Sequence, residues 1–183
     1  MLVIQQARTQ FTNYDDVFNA LVNRYGAPRE DFALHAQLRL LRDSFRSPSE
    51  IADKRILDIG CGCVEGSSEA NANPGTWAPW LCRAVDLLGG HAVGLDIGCV
   101  SALDEFEFKK SDLTRGDPLA GFKEKSFDAI SCSNLFSSPH LVHRLKKSLE
   151  DRAAMVKRIE AHVYRLLKDG GVLINFDKTL DNY

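Results

Sequence analysis

An acidic residue and two glycines stand where a short apolar run ends, a combination that could bind a ligand. Residues 56–59 (Ile-Leu-Asp-Ile) predict a buried strand, and Gly60 and Gly62 behind it predict a sharp turn. In open α/β sheets, ligands bind at the carboxyl ends of the strands. A dinucleotide fingerprint needs a third glycine, but the chain has Glu65 at that place. The carboxylates of Asp58 and Glu65 would repel a pyrophosphate, so this turn favours a cationic ligand without phosphate.

S-adenosylmethionine is such a ligand, because it carries a sulfonium and an ammonium group. Residues 57–62 (Leu-Asp-Ile-Gly-Cys-Gly) resemble the first motif of the class I S-adenosylmethionine-dependent methyltransferases. Four later stretches resemble further motifs of that family in the family's order: residues 93–97, 111–113, 126–134 and 166–174. The resemblance covers residues 54–176 and concerns the cofactor more than the acceptor.

The resemblance implies an α/β fold, a three-layer Rossmann-like sandwich around a mainly parallel sheet with strand order 3-2-1-4-5. Residues 1–53 would form an N-terminal helical extension that either packs on the sheet or acts as a lid over the substrate. Residues 54–183 would form the S-adenosylmethionine-binding methyltransferase domain. The family usually adds two strands after the fifth, and we expect a short form that lacks them.

The resemblance also implies the cofactor site. Asp58 would meet the methionyl ammonium, Asp96 the ribose hydroxyls and Asp112 the adenine, while Ser133 and Asn134 would border the transferred methyl group. The alternatives are that Asp96 caps the next turn and that Asp112 is a turn residue. The implied cofactor-binding residues are Asp58, Gly60, Cys61, Gly62, Asp96, Ile97, Asp112, Leu113, Ser133 and Asn134.

Two segments depart from the family pattern. Residues 63–76 form a long polar stretch after the glycine turn. This stretch closes over the methionine end of the cofactor, shapes the acceptor pocket, or is a neutral surface insertion. Only residues 98–105 separate the second and third strands, so we expect a very short second crossover helix over residues 101–105. One face of the sheet is then thinly covered there, or is covered by the N-terminal helices.

The acceptor side carries no specialised motif. Residues 133–136 (Ser-Asn-Leu-Phe) lack the Pro-Pro turn of many amino-directed methyltransferases, which favours a small-molecule acceptor. His140 and His143 are the candidates for a general base, with two solvent-exposed, non-catalytic histidines as the alternative. The reaction needs a general base only where the acceptor must lose a proton.

Apolar periodicity and turn residues predict the remaining elements. Helices are predicted over residues 14–25 (capped by Asn13 or Asp15), 30–45, 77–88 (capped by Thr76) and 149–167, the last ended by Gly170-Gly171. Further strands are predicted over residues 91–96, 106–110, 127–131 and 172–176.

Composition indicates an ordinary globular chain. Its 183 residues are 44% hydrophobic and 26% charged, with a net charge of −2, so nucleic acid is not the favoured partner. Five cysteines without a second close pair indicate reduced thiols, no metal site and a reducing compartment. The sequence shows no signal peptide and no apolar run long enough to span a membrane, so we expect a cytoplasmic protein.

The fifth strand would be an apolar sheet edge. Such an edge is an aggregation hazard unless something covers it. We expect either a partner subunit in a homodimer or the N-terminal segment of residues 2–5 (Leu-Val-Ile-Gln) to do so.

Together these features predict an S-adenosylmethionine-dependent methyltransferase with a small-molecule acceptor. The alternative is a protein that binds S-adenosylmethionine or S-adenosylhomocysteine without methyl transfer and serves as a scaffold or regulatory partner. A nicotinamide-dependent oxidoreductase is disfavoured by the flanking carboxylates and the missing third glycine.

Overall fold

A five-stranded parallel sheet forms the centre of the chain. A computed structural model describes residues 11–63, 78–133, 135–136 and 149–176. The strands are β1 Arg55–Ile59, β2 His91–Asp96, β3 Glu107–Lys110, β4 Phe127–Cys132 and β5 Leu167–Phe176. Their order is β3-β2-β1-β4-β5 and every neighbouring pair is parallel. The predicted fold class and strand order are therefore confirmed, and the carboxyl ends of β1, β2 and β4 lie at one edge.

Helices lie before the first strand and between strands. They are α1 Tyr14–Tyr25, α2 Phe32–Ser44, a short 3-10 helix Pro48–Ile51, α3 Trp80–Leu87 and α4 Leu149–Leu166. The predicted bounds of α1 are confirmed, since the Asn13 side chain accepts from the Asp16 N–H and left-handed Gly26 ends the helix. Helix α3 begins at Trp80, so the predicted start at residue 77 is wrong, since Ala78 and Pro79 precede the helix. The predicted cap Thr76 lies outside the described residues.

The N-terminal helices pack on one face of the sheet. Val17 of α1 and Leu34 and Leu41 of α2 share one buried apolar cluster with Val85 of α3 and Ile56 of β1. This is the arrangement expected if the helices cover the sheet. The division of the chain at residue 53 and a movement of these helices as a lid stay predictions.

Helix α4 covers the opposite face. Its residues Val156, Ile159 and Val163 belong to a second buried cluster with Leu57 of β1 and Ile130 of β4. Successive residues of β1 point to opposite faces, so Ile56 joins the first cluster and Leu57 the second. The result is the predicted three-layer sandwich.

The prediction of a short crossover helix over residues 101–105 is wrong, because the connection between β2 and β3 forms a turn there. Asp104 in this turn points inward and accepts from the Arg83 Nε and Nη2 atoms of α3 at 2.7 and 3.2 Å. The side chains of Arg83 and Asp104 are 4% and 0% exposed. The guanidinium lies over the rings of Tyr25 and Trp80, 4.1 and 4.7 Å from their centroids. A buried ion pair and α1 therefore fill the place of a second crossover helix.

Strand β5 is longer than predicted and follows α4 directly. The helix ends at Leu166, before the Gly170-Gly171 pair that was expected to end it. The strand pairs with β4 from Leu167 opposite Phe127 onward. Among the described residues its other edge has no neighbouring strand, and Leu173 is 37% exposed. None of the described helices has the length and apolar character needed to cross a membrane.

The five cysteines are reduced. Cys61, Cys63, Cys82 and Cys132 are buried, and Cys99 is partly exposed. Within the described ranges, no group of three or more His, Cys, Asp and Glu side chains could hold a metal ion.

Candidate functional site

The glycine turn after β1 has the backbone that its sequence predicts. Gly60 and Gly62 have φ angles of 74° and 92°, in the left-handed region that favours glycine. The Gly60 and Cys61 N–H groups both donate to the Leu95 carbonyl of β2, at 2.7 and 3.3 Å. A Cβ atom on Gly60 would lie 2.8 Å from Leu135 Cδ1. The turn therefore needs glycine at position 60 for its backbone angle and for the packing of Leu135.

Asp96, at the end of β2, holds this turn in place. Its Oδ2 atom accepts from the Gly62 N–H at 3.0 Å, and its Oδ1 atom accepts from the Ile97 and Gly98 N–H groups at 2.7 and 3.3 Å. A carboxylate offers about four acceptor positions. The described backbone occupies three, so roughly one is left for a hydroxyl of a ligand. For Asp96 to accept hydrogen bonds from two ribose hydroxyls, one of these N–H groups would have to lose its hydrogen bond to the carboxylate.

Asp58 is a buried acid at the carboxyl end of β1. It lies one residue before the end of β1 and is 1% exposed. It has a hydrogen bond with the Ser131 hydroxyl of β4, the residue opposite it in the sheet. Its Oδ2 atom has no hydrogen-bond partner among the described residues. Burial raises the pKa of the Asp58 carboxyl from 3.8 to about 7, the Ser131 hydrogen bond lowers it, and the charge of Asp96 raises it.

A chain of polar side chains continues from Ser131. The Ser131 and Ser133 hydroxyl oxygens are 3.2 Å apart, and both residues are buried. The Asn175 Nδ2 atom of β5 donates to the Ser133 oxygen at 3.2 Å. These contacts join the ends of β1, β4 and β5 through side chains as well as through the sheet. Buried polar groups are costly unless they are hydrogen-bonded, so a continuous chain is the arrangement that this position requires.

Asp112 and Leu113 follow β3. The Asp112 Oδ1 atom accepts from the Thr114 N–H and hydroxyl at 3.0 and 2.6 Å, and its Oδ2 atom lies 3.4 Å from Arg115 Nε. This is the geometry of a turn residue, the alternative that the sequence left open. Leu113 is buried in the cluster under α4. An adenine contact of Asp112 stays a prediction.

The Cys61 thiol points into the protein. It is buried against the Cys82 thiol, and a Cβ atom on Gly94 of β2 would lie 2.8 Å from the Cys61 sulfur. Burial raises the pKa of Cys61 well above its usual range and also raises that of Cys82. Both are therefore unreactive thiols that fill space behind the turn, and only the backbone of Cys61 is available to a ligand.

The strand ends bring together part of the predicted site. Gly60, Gly62, Asp96 and Ile97 are joined by the hydrogen bonds of the turn, and Asp58 connects to Ser133 through Ser131. Four predicted features lie outside the described residues: Asn134, His140, His143 and the segment 64–76. The cofactor contacts of the whole set stay predictions.

Sequence reasoning missed Ser131 and Asn175. Each interrupts an apolar strand: Ser131 lies in residues 127–132 (Phe-Asp-Ala-Ile-Ser-Cys) and Asn175 in residues 172–176 (Val-Leu-Ile-Asn-Phe). A polar residue inside a buried strand was a usable signal, because it must find a partner. Its partner could not be identified without the register that sets Ser131 opposite both Asp58 and Asn175.

Three solved methyltransferase structures are similar to this chain. The MycE methyltransferase of mycinamycin biosynthesis, in complex with Mg, S-adenosylhomocysteine and mycinamycin VI, is 20% identical over 85% of this chain and 36% of its own, with a TM-score of 0.49. The trans-methyltransferase CalH with S-adenosylhomocysteine is 19% identical over 86% of this chain and 43% of its own, with a TM-score of 0.39. The CurJ carbon methyltransferase is 15% identical over 90% of this chain and 51% of its own, with a TM-score of 0.36.

The chain spans between 36% and 51% of the length of these three proteins. No protein-family model and no curated protein sequence matches it. At these identities and TM-scores the similarity assigns neither an activity nor a site. The fold is defined by the chain's own strand order, and that order agrees with the sequence resemblance to class I methyltransferases.

Proposed function

We propose that the chain is an S-adenosylmethionine-dependent methyltransferase that acts on a small-molecule acceptor. The observation that carries the proposal is Asp58, whose Oδ2 atom is buried beside the glycine turn without a partner among the described residues. A buried carboxylate oxygen without a partner attracts a cation strongly. The methionyl ammonium of S-adenosylmethionine supplies such a charge, and a pyrophosphate would be repelled.

The residues at this edge have distinct roles in the proposal. Asp58 binds the ammonium, and Asp96 fixes the turn and accepts one hydrogen bond from the ribose. Ser133 borders the space towards the acceptor.

S-adenosylmethionine would be held by Asp58, Asp96 and the backbone of the glycine turn. It would supply a methyl group that an acceptor lone pair can take, leaving S-adenosylhomocysteine, with any acceptor proton passing to a base or to water. The chain's contribution is alignment and exclusion of water, so a catalytic base is not required for every acceptor.

Calorimetric titration with S-adenosylhomocysteine and, separately, with NAD tests the cofactor. We expect binding of S-adenosylhomocysteine, no binding of NAD, and about a tenfold or larger loss of affinity in Asp58→Asn because a charge-assisted contact is lost. The matched control is Asp43→Asn, an exposed acid paired with Arg39 on α2. Binding of NAD alone would refute the proposal.

Transfer of a labelled methyl group to a panel of small hydroxyl, amine and thiol compounds tests the activity. We expect turnover with at least one class of acceptor. Cofactor binding with no turnover across the panel would favour the alternative, a binding protein without methyl transfer.

The outer edge of β5, which has no neighbouring strand in the part of the chain that the structure describes, supports a second proposal, that two copies of the chain pair there. Leu173 is exposed at this edge, which is the kind of surface that natural proteins cover. Light scattering measures the mass in solution, and Leu173→Lys is expected to convert a dimer to a monomer. A monomeric wild-type chain would contradict the proposal.

A further inference from the structure

One donor order of the hydroxyls between Asn175 and Asp58 places a hydrogen-bond donor on the ionised Asp58 carboxylate. An amide nitrogen can only donate, so Ser133 accepts from Asn175 Nδ2 and keeps its own proton for another partner. Ser131 lies 3.2 Å from it and can accept that proton. The Ser131 proton is then free to be donated to Asp58, in agreement with the effect of Ser131 on that carboxyl.

We propose that Asn175, Ser133 and Ser131 form a one-way chain of hydrogen-bond donors that ends on Asp58 and stabilises its negative charge for the cofactor cation. Asn175 and Ser133 are positioning residues in this scheme, because they act on the cofactor through Asp58. The inference rests on the proposed function for the identity of the cation. The effect of the chain on Asp58 itself does not depend on any ligand.

The surroundings of Asp58 make such support necessary. The ionisable groups that face it are Asp96 from the end of β2, Cys61 from the turn and Cys82 from α3. None of these three carries a positive charge, and β4 contributes only the Ser131 hydroxyl. Burial and the charge of Asp96 both oppose ionisation of Asp58. Among the described residues, the hydrogen bond from Ser131, the last member of the donor chain, is the contact that favours ionisation.

The consequence is that cofactor affinity depends on pH. Near neutral pH part of the free protein holds a proton on Asp58, and a bound cation releases it. Below the midpoint of this titration, affinity for S-adenosylhomocysteine is expected to rise by up to about tenfold per pH unit, and above it to level off. Weakening the donor chain moves the midpoint of the Asp58 titration to higher pH. The affinity reached above that midpoint stays unchanged, because Asp58 is then ionised in every variant.

The test first follows the Asp58 carboxyl carbon by NMR in the ligand-free protein, with Asp58→Asn to assign the signal. We expect Ser133→Ala and Asn175→Leu to raise the titration midpoint by roughly 0.5 to 1 pH unit, while Ser133→Thr keeps the wild-type midpoint. Ser126→Ala is the matched control, because it removes a buried serine hydroxyl at the other end of β4, outside the donor chain. If Ser133→Ala and Asn175→Leu both keep the wild-type titration midpoint of Asp58, the inference is overturned.

Calorimetry with S-adenosylhomocysteine between pH 6 and pH 9 then separates the two proposals. Ser133→Ala and Asn175→Leu should lower affinity about three- to tenfold at pH 6 and match the wild type at pH 9. An equal loss at every pH would indicate a structural role and overturn the inference. Shifted midpoints in a protein that binds no S-adenosylhomocysteine would refute the proposed function and leave the donor chain supported.

Discussion

Replacing Asp58 by asparagine should stabilise the ligand-free protein, and increasingly so as the pH rises. The folded chain holds the Asp58 proton up to a pKa of about 7, whereas the ordinary value is 3.8. Between these values the folded state binds more protons than the unfolded state, so wild-type stability falls as the pH rises. At 1.36 kcal/mol for each pH unit, the full penalty above pH 7 is about 4 kcal/mol.

An asparagine side chain cannot ionise, so the Asp58→Asn variant avoids this loss. Its amide resembles the protonated carboxyl and can still accept from Ser131. Any fixed cost of the new amide is the same at every pH. The difference between the two stability curves should therefore widen by about 2 kcal/mol from pH 5.5 to pH 7.5, in favour of the variant.

Urea unfolding at a series of pH values, followed by circular dichroism, gives both curves. When the slopes of unfolding free energy against pH are compared, the contributions of the ionisable groups that the two proteins share cancel. Asp43→Asn, an exposed acid on α2, should run parallel to the wild type. Parallel curves for Asp58→Asn as well would show that Asp58 is ionised without penalty, and the reasoning about its burial would fail.

Three stability predictions concern the surroundings of the site. Gly60→Ala should cost about 2 to 4 kcal/mol, because it adds a steric clash to left-handed strain, whereas Gly26→Ala meets no atom within 4 Å and should cost only about 1 to 2 kcal/mol. Equal losses in chemical denaturation would contradict this. Arg83→Leu should cost about 3 to 5 kcal/mol, because it leaves its buried carboxylate partner unpaired, against about 0.5 kcal/mol or less for exposed Arg39→Ala. If Arg83→Leu leaves the free energy of unfolding unchanged in the same assay, the Asp104 carboxylate has become protonated or hydrated in the variant. Tyr14→Phe should cost about 1 kcal/mol by loss of the one hydrogen bond that its hydroxyl shares between the carbonyls of Leu41 and Phe45, and an unchanged melting temperature would refute it.

Local signals predicted the elements that depend on neighbouring residues. Helix α1 has its predicted bounds because the Asn13 cap and Gly26 end act within one turn of it. The strand order followed from the motif order in the family that the chain resembles, and the structure confirms it. The position of the glycine turn beside Asp96 follows from the same order.

Contacts between distant parts of the chain could not be read from the sequence. The inward turn of Asp104 depends on Arg83 and on Tyr25 of α1, which are far from it in sequence. The Gly170-Gly171 pair resembles a helix end, but pairing with β4 begins at Leu167 and takes those glycines into β5. The three N–H groups on Asp96 likewise depend on the path of the turn, and they limit what Asp96 can offer a ligand.

The buried cysteines allow opening motions of the protein to be measured through the rates at which their thiols are modified. Cys99 is the partly exposed one of the five and should react quickly with a thiol reagent, while the other four can react only after the structure opens around them. Cys61 and Cys82 lie together behind the turn, and Cys132 lies at the end of β4. Modification rates resolved by mass spectrometry would thus report separately on the edge where we place the cofactor and on the whole sheet, without any engineered label.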